Sequence, residues 1–97
     1  MQRYAPQSVG DVLRELLEET SLQNRMDELH AATLWSKIVG PQMAALTRHP
    51  QVKGGVMTVG VPNAALRNEL LMNRSRLRDI INKTLGKEII SDIRFIS

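Results

Sequence analysis

Three arginines in the second half of the chain recur at a spacing typical of one helix face. At about 100° per residue, Arg67, Arg74 and Arg78 fall within about 20° of one line along a helix. Guanidinium groups pair well with phosphate oxygens, so this row predicts contacts with a nucleic-acid backbone rather than with its bases. Other basic side chains extend the candidate surface: Lys83, Arg48, His49, Lys53 and Arg94. The alternative is that all of these are solubilising charges, partly neutralised by Glu69 and Asp79.

Charge is divided unevenly along the chain. The formal net charge is +3, but residues 1–36 hold three basic and six acidic side chains, a balance of −3. Residues 37–97 hold ten basic and four acidic side chains, a balance of +6. This asymmetry indicates a basic face suited to a polyanion and a separate acidic face. In the acidic half, Glu15, Glu18 and Glu19 cluster on one predicted helix, and we expect them to form a surface for a protein partner.

The residue types needed for catalysis or for a metal site are absent or scattered. The chain has no cysteine, which excludes disulfides, thiolate ligands and cysteine nucleophiles. His30 and His49 lie far apart, and the six glycines form neither a Walker loop nor a dinucleotide-binding fingerprint. We therefore expect no catalytic residue, no metal, no cofactor and no small-molecule substrate, and we predict that the chain is not an enzyme.

The helices that would position the acidic cluster follow from hydrophobic spacing. An amphipathic helix is predicted to begin after a capping arrangement at Ser8 and to end near Thr20. A second helix is predicted over about residues 23–39. The pair Gly40-Pro41 interrupts it, because proline cannot continue a helix, and a short helical extension follows over residues 43–46.

The middle of the chain changes to the period-two pattern of β-strands. Residues 47–53 and 56–61 are predicted strands. Gly54-Gly55 joins them, and the tolerance of glycine for positive φ favours a tight hairpin turn there. Pro50 places the first strand at an edge of the sheet or limits its length, because proline donates no ladder hydrogen bond.

The basic row lies on the third helical region. Asn63 is its predicted N-cap and Gly86 its predicted end, while Asn73 interrupts the apolar stripe where a bend or break is consistent with the pattern. A last strand covers about residues 88–96, with Arg94 on its outer side. The predicted order is α-α-β-β-α-β, a two-layer α+β domain with helices on one face of a small three-stranded sheet.

Length and composition agree with a single domain over residues 1–97, of which residues 1–7 are predicted to be a flexible N-terminus. The chain is 42% hydrophobic and 24% charged, which suits one modest core. No apolar run reaches the roughly 18–20 residues of a membrane span, and the N-terminus lacks the apolar stretch of a signal peptide. We expect a cytoplasmic protein that has no membrane partner.

Aromatic residues are too few to form a surface on which bases stack. Tyr4, Trp35 and Phe95 are the only ones in the sequence. Trp35 and Phe95 fall at predicted core positions, and Trp35 is expected to fill the contact between the second helix and the sheet.

Several short segments, in their order and spacing, resemble the DciA-like family of bacterial replicative-helicase loaders. The segments are Leu34-Trp35-Ser36-Lys37-Ile38-Val39-Gly40, Ala45-Leu46-Thr47-Arg48-His49-Pro50, Gly55-Val56-Met57-Thr58-Val59-Gly60-Val61, Glu69-Leu70 and Ile93-Arg94-Phe95. The resemblance runs from about Val12 to the C-terminus. It implies a KH-like α+β fold, DNA binding, and the replicative helicase as a partner.

Three functions are consistent with these observations. The leading one is a DNA-replication accessory that binds DNA through its phosphates and assists loading of the replicative helicase. The second is a protein–protein adaptor that does not bind nucleic acid. The third is a KH-like RNA-binding module, although the chain has no G-x-x-G sequence with which KH domains clamp nucleotides.

Overall fold

The structure is a computed structural model that describes residues 8–97, so the predicted flexible N-terminus over residues 1–7 lies outside the described residues. The order of elements is α-α-β-β-α-α-β, which confirms the predicted α+β class and the small KH-like architecture. The helices and strands are α1 (Val9–Val39), α2 (Pro41–Ala45), β1 (Gln51–Lys53), β2 (Val56–Gly60), α3 (Ala64–Met72), α4 (Arg74–Leu85) and β3 (Asp92–Ile96).

The two predicted N-terminal helices are one continuous helix of 31 residues, so the predicted end near Thr20 is wrong. Helix α1 begins at the predicted capping box, where Ser8 Oγ accepts a hydrogen bond from the Asp11 backbone N–H at 3.1 Å. Thr20 does not end the helix, because its hydroxyl donates to the Leu16 carbonyl at 2.9 Å and is satisfied within the helix. Gly40, with φ of 90°, ends α1, and the following Pro41 begins α2.

The C-terminal half of α1 packs against the rest of the fold, and from the other half Arg25 donates a hydrogen bond to the Val52 carbonyl at 3.2 Å. We call Asp27–Val39 the proximal half and Val9–Met26 the distal half. Between Val12 and Met26 every side chain is exposed, whereas Ala31 is fully buried. A helix of this length is about 46 Å long, and the described fold measures 63 Å in its longest dimension against 23 and 20 Å in the others. The distal half therefore projects from the body of the domain.

The three-stranded sheet has the order β1-β2-β3, with β1 antiparallel to β2 and β3 parallel to β2. The hairpin forms as predicted, with φ values of 59° and 81° at Gly54 and Gly55. Edge position for β1 is also confirmed, but β1 and β3 are shorter than predicted. Both strands begin late: the segment before β1 contains Pro50, and residues 88–91 form a loop held by the Asn82 side chain.

The third helical region breaks into α3 and α4 at Asn73, where the apolar stripe is interrupted. Asn63 caps α3 as predicted, accepting a hydrogen bond from the Leu66 N–H at 2.9 Å. The Asn73 side chain donates to the Glu69 carbonyl at 2.9 Å. Gly86, with φ of 81°, ends α4 in the left-handed conformation, as expected for a helix C-terminus. The connection from β2 through α3 and α4 to the parallel strand β3 is a crossover.

The core lies between the helices and one face of the sheet, and the prediction that Trp35 belongs to it is confirmed. Trp35 is 1% exposed and its ring centroid lies 6.1 Å from that of the half-buried Phe95. Strand residues that alternate along the chain complete this inner face: Val52, Met57, Val59 and Ile93. Burying such side chains contributes roughly 1.5–3 kcal/mol each.

One ion pair joins the proximal half of α1 to the loop before β3. The Lys87 ammonium lies 2.8 Å from Oδ2 of Asp27, and Oδ1 of the same carboxylate accepts a hydrogen bond from Gln23 at 3.0 Å. The hydrogen bond from Lys87 holds the pKa of Asp27 below its usual value of 3.8, with a further contribution from Gln23 and against the effect of burial. Asp27 is therefore a buried charge whose partner comes from a distant part of the chain.

Candidate nucleic-acid interface

The side of the sheet that faces away from the helices carries the polar residues of the strands. Gln51, Thr58 and Arg94 are neighbours across the three strands in this outward register. Lys53 lies farther along β1 on the same side and is exposed. We call this surface the open sheet face; it places two predicted nucleic-acid residues, Lys53 and Arg94, on one side of the domain.

The side-chain stem of Arg48 packs over Gly60 on the open sheet face. Its backbone N–H donates to the Gly60 carbonyl at 2.8 Å. A β-carbon at Gly60 would lie 2.8 Å from Cδ of Arg48, so the arginine stem occupies the space that a side chain would need. The preceding residue, Thr47, is anchored from the core, because Trp35 Nε1 donates to its hydroxyl at 3.0 Å. The backbone and the stem of Arg48 are therefore positioned by the packed part of the protein.

A shallow depression of about 290 Å³ opens beside Arg48. Its lining consists of Arg48, His49, Gln51, Thr58, Gly60 and Ile96. These residues include a guanidinium, an imidazole, an amide and a hydroxyl, all of which can donate hydrogen bonds, and no carboxylate. Arg48 and His49 were predicted from the sequence as candidate site residues, whereas Gln51 and Thr58 were not, although their period-two spacing opposite the apolar strand residues marks the outward side.

The predicted arginine row is engaged with acceptors of the protein itself. Arg67 donates to the Val61 carbonyl at 2.8 Å, which ties α3 to the end of β2. Arg74 lies 3.5 Å from the carboxylate of Asp92, and Arg78 lies 3.1 Å from that of Asp79. The break at Asn73 also places Arg67 on a different helix from the other two.

The other predicted basic residues form no ion pairs within the described part of the chain. Within residues 8–97, the ion pairs include none of Arg48, Lys53, Lys83 and Arg94. Lys83 is exposed in the last turn of α4, where it also faces the negative end of the helix dipole. The structure thus separates the predicted basic residues into a group around the open sheet face and a group on the helices.

The acidic cluster lies on the distal half of α1, where Glu15, Glu18 and Glu19 are all exposed. The apolar residues beside them are exposed as well, which sequence analysis did not anticipate. Leu13, Leu16 and Leu17 are 54%, 53% and 68% exposed. With Val9 and Val12 they form what we call the distal apolar stripe, and exposed apolar surface of this kind is typical of interaction sites.

The part of the chain that the structure describes contains no group of three or more His, Cys, Asp or Glu side chains arranged to hold a metal ion. Over the same residues, no helix is long and apolar enough to cross a membrane.

The fold and this surface define a small α+β domain of KH-like architecture with a cationic open sheet face. Residues 8–95 match the family model described as "Dna[CI] antecedent, DciA", and the chain therefore belongs to the DciA family. It is also similar to UPF0232 proteins of Mycobacterium tuberculosis and Mycobacterium bovis, with 26% identity over 89 residues in each case. The alignment covers 92% of this chain and 48% of each relative, so the chain spans about half the length of the curated relatives it matches.

Proposed function

We propose that this chain is a non-enzymatic DNA-replication accessory of the cytoplasm that binds DNA through its phosphates and assists loading of the replicative helicase. The match to the DciA family over residues 8–95 is the observation that carries the proposal. The net charge of +6 over residues 37–97 supports a polyanionic ligand.

The proposed DNA contacts come from the basic residues identified in the sequence. The candidates for these contacts are Arg67, Arg74, Arg78, Lys83, Arg48, His49, Lys53 and Arg94. Contacts of this kind neutralise phosphates and release counterions, so binding is expected to tolerate different sequences and to weaken steeply as salt increases. Fluorescence anisotropy with a labelled oligonucleotide across a salt series measures both properties. Absence of binding at low salt would contradict this part of the proposal.

The proposed helicase contact lies on the distal half of α1. Glu15, Glu18 and Glu19 supply negative charge there, and the adjacent distal apolar stripe supplies surface that is favourable to bury. A partner surface with apolar residues flanked by lysine or arginine would complement both features.

Co-purification with the host's replicative helicase, with and without nuclease, tests the second half of the proposal. We expect replacement of Glu15, Glu18 and Glu19 by glutamine to weaken recovery of the helicase. The matched control is E69Q, D79N and E88Q, which removes the same number of exposed carboxylates elsewhere and should leave recovery unchanged. Equal recovery with both variants would exclude this surface, and recovery that disappears with nuclease would show that DNA alone joins the two proteins.

A protein–protein adaptor that binds no nucleic acid is the second candidate function. The exposed distal apolar stripe favours it, because such a surface suits a protein partner and has no use in phosphate binding. The third candidate, an RNA-binding module, is supported by the KH-like fold alone. Competition between RNA and DNA oligonucleotides of the same sequence distinguishes it from the leading function.

A further inference from the structure

The depression beside Arg48 is a specific feature within the broader basic surface. We propose that it is the site where a DNA phosphodiester binds, and that Lys53 and Arg94 extend the contact along the strand. This inference rests on the proposed DNA binding and assigns it to the open sheet face rather than to the arginines of α3 and α4.

The chemistry of the depression matches a phosphodiester. The Arg48 guanidinium supplies charge and a planar set of donors, and Thr58 and Gln51 add neutral donors from two adjacent strands. A volume of about 290 Å³ is near the lower limit of small-ligand sites, roughly 300 Å³. With no carboxylate in the lining, an anion meets no like charge there.

The backbone and the side-chain stem of Arg48 are already held in place before a ligand binds. The stem of Arg48 lies over Gly60, and its backbone is bonded to the Gly60 carbonyl at 2.8 Å. Thr47 is tied to the buried Trp35, so the segment leading into β1 is anchored to the core. Because less freedom remains to be lost, ordering these groups around a ligand costs less than ordering free side chains.

Three of the four arginines of α3 and α4 are less suited to this role. Arg67 would have to give up its hydrogen bond to the Val61 carbonyl, and Arg74 and Arg78 their neighbouring carboxylates, before binding a phosphate with the same groups. Arg48, Lys53 and Arg94 have no such competing ion pair within residues 8–97. Competition from these acceptors therefore favours the open sheet face, although the exposed ion pairs of Arg74 and Arg78 contribute little to it.

The geometry also accounts for the kind of recognition expected. The two aromatic side chains in the described part of the chain, Trp35 and Phe95, pack together on the inner side of the sheet. The outward strand residues offer charge and hydrogen bonds but no ring on which a base stacks. The site is therefore expected to hold the backbone of DNA and to leave its bases unread.

Two matched triple variants test the assignment. The sheet variant is R48Q, K53Q and R94Q, and the helix variant is R74Q, R78Q and K83Q, which removes the same charge from α4. We expect the sheet variant to lower the slope of log affinity against log salt by about two to three units, since each lost phosphate contact lowers it by roughly 0.7–0.9. The helix variant should change the slope by less than about one unit. An equal or larger effect in the helix variant would overturn the inference while leaving DNA binding intact.

Gly60→Ala tests the positioning of Arg48 without changing any charge. The new β-carbon would lie 2.8 Å from Cδ and 3.2 Å from Cβ of Arg48, so the arginine stem must move aside and the Arg48 backbone must shift slightly. We expect a melting temperature close to that of the wild type and an affinity for the oligonucleotide that falls about threefold or more. Wild-type affinity in this variant would show that the packing of the Arg48 stem over Gly60 does not contribute to DNA binding.

An NMR titration of the wild-type chain with an unlabelled oligonucleotide locates the contact without substitutions. The amide signals of Gln51, Thr58 and Arg94 should shift most. Shifts confined to α3 and α4 would contradict the inference, and no shift anywhere at low salt would contradict the proposed DNA binding itself. Inorganic phosphate added at the same ionic strength serves as the second ligand. Equal shifts at equal concentration would mean that the depression binds free anions and not a nucleic-acid strand.

Discussion

The two halves of α1 have the same hydrophobic pattern and opposite surroundings. Leu17 and Trp35 are separated by about five turns and so point in the same direction, yet Leu17 is 68% exposed and Trp35 is 1% exposed. Leu16 and Leu34 are related in the same way, at 53% and 6%. The distal apolar stripe is thus a continuation of the core-facing side of the helix beyond the end of the core. Periodicity shows where the apolar face of a helix lies, and only the rest of the fold decides whether that face is covered.

The largest effect is expected in the proximal half. Trp35→Ala should lower the free energy of unfolding by about 3–5 kcal/mol, because it leaves a cavity between α1 and the sheet. Chemical denaturation followed by circular dichroism measures this loss. Trp35→Phe is the informative control, since it keeps a ring in the core but removes the hydrogen bond to Thr47, which is worth about 1 kcal/mol. A loss below about 1 kcal/mol in Trp35→Ala would mean that the indole is not part of the core.

The second prediction concerns the boundary between the halves, where Asp27 pairs with Lys87. A carboxylate whose pKa is lowered by folding stabilises the protein above its unfolded pKa, and this stabilisation is lost as pH falls through the lowered folded value. Asp27→Asn should therefore be less stable than the wild type at neutral pH, and the difference should shrink as pH falls below 3.8. Denaturation curves at a series of pH values test this.

Lys87→Gln provides the matched control for the Asp27 prediction, because it removes the other member of the same ion pair. It should also lower the free energy of unfolding at neutral pH, and this loss of stability should become smaller in acid. A difference between Asp27→Asn and the wild type that stays constant with pH would show that the ion pair does not stabilise the fold.

The smallest effect is expected in the distal half. Replacing Leu13 and Leu16 together by alanine should change the free energy of unfolding by no more than about 0.5 kcal/mol per site, because both side chains are already half exposed. The same double substitution should weaken recovery of the replicative helicase. A loss of stability that grows with protein concentration would instead reveal that the distal apolar stripe is buried between copies of the chain in solution.

For the basic residues, too, the spacing in the sequence and the contacts in the folded chain lead to different conclusions. The one-line spacing of Arg67, Arg74 and Arg78 predicted a common helix face, but Asn73 divides the helix and each arginine has an acceptor within the protein. Arg48 and Arg94 had no shared periodicity in the sequence. Arg48 precedes β1 and packs against Gly60 of β2, and Arg94 lies on β3. They come to the same sheet face because the hairpin and the parallel crossover place β1 and β3 on either side of β2.

The local signals in the sequence determined much of the backbone. Ser8 and Asn63 cap their helices, Gly54-Gly55 turns the hairpin and Gly86 ends α4, because each depends on hydrogen bonds or φ values within a few residues. The family segments and alternating strand residues likewise indicated the α+β class. The false break near Thr20 arose because threonine and serine suit both helix ends and helix interiors, and local preference alone cannot distinguish the two.

The tertiary structure decided which surfaces remain free. Whether the stripe of α1 is core or surface depends on where the sheet ends. Which cations are paired depends on carboxylates and carbonyls that folding brings near them, such as Asp92 beside Arg74 and the Val61 carbonyl beside Arg67. The Arg48 stem likewise packs over Gly60 only because strand pairing brings these two residues together. These contacts join different segments of the fold, from Val61 and Arg67, which are close in sequence, to Arg74 and Asp92, which are far apart. The spacing of like residues along the chain does not reveal them until the segments are packed together.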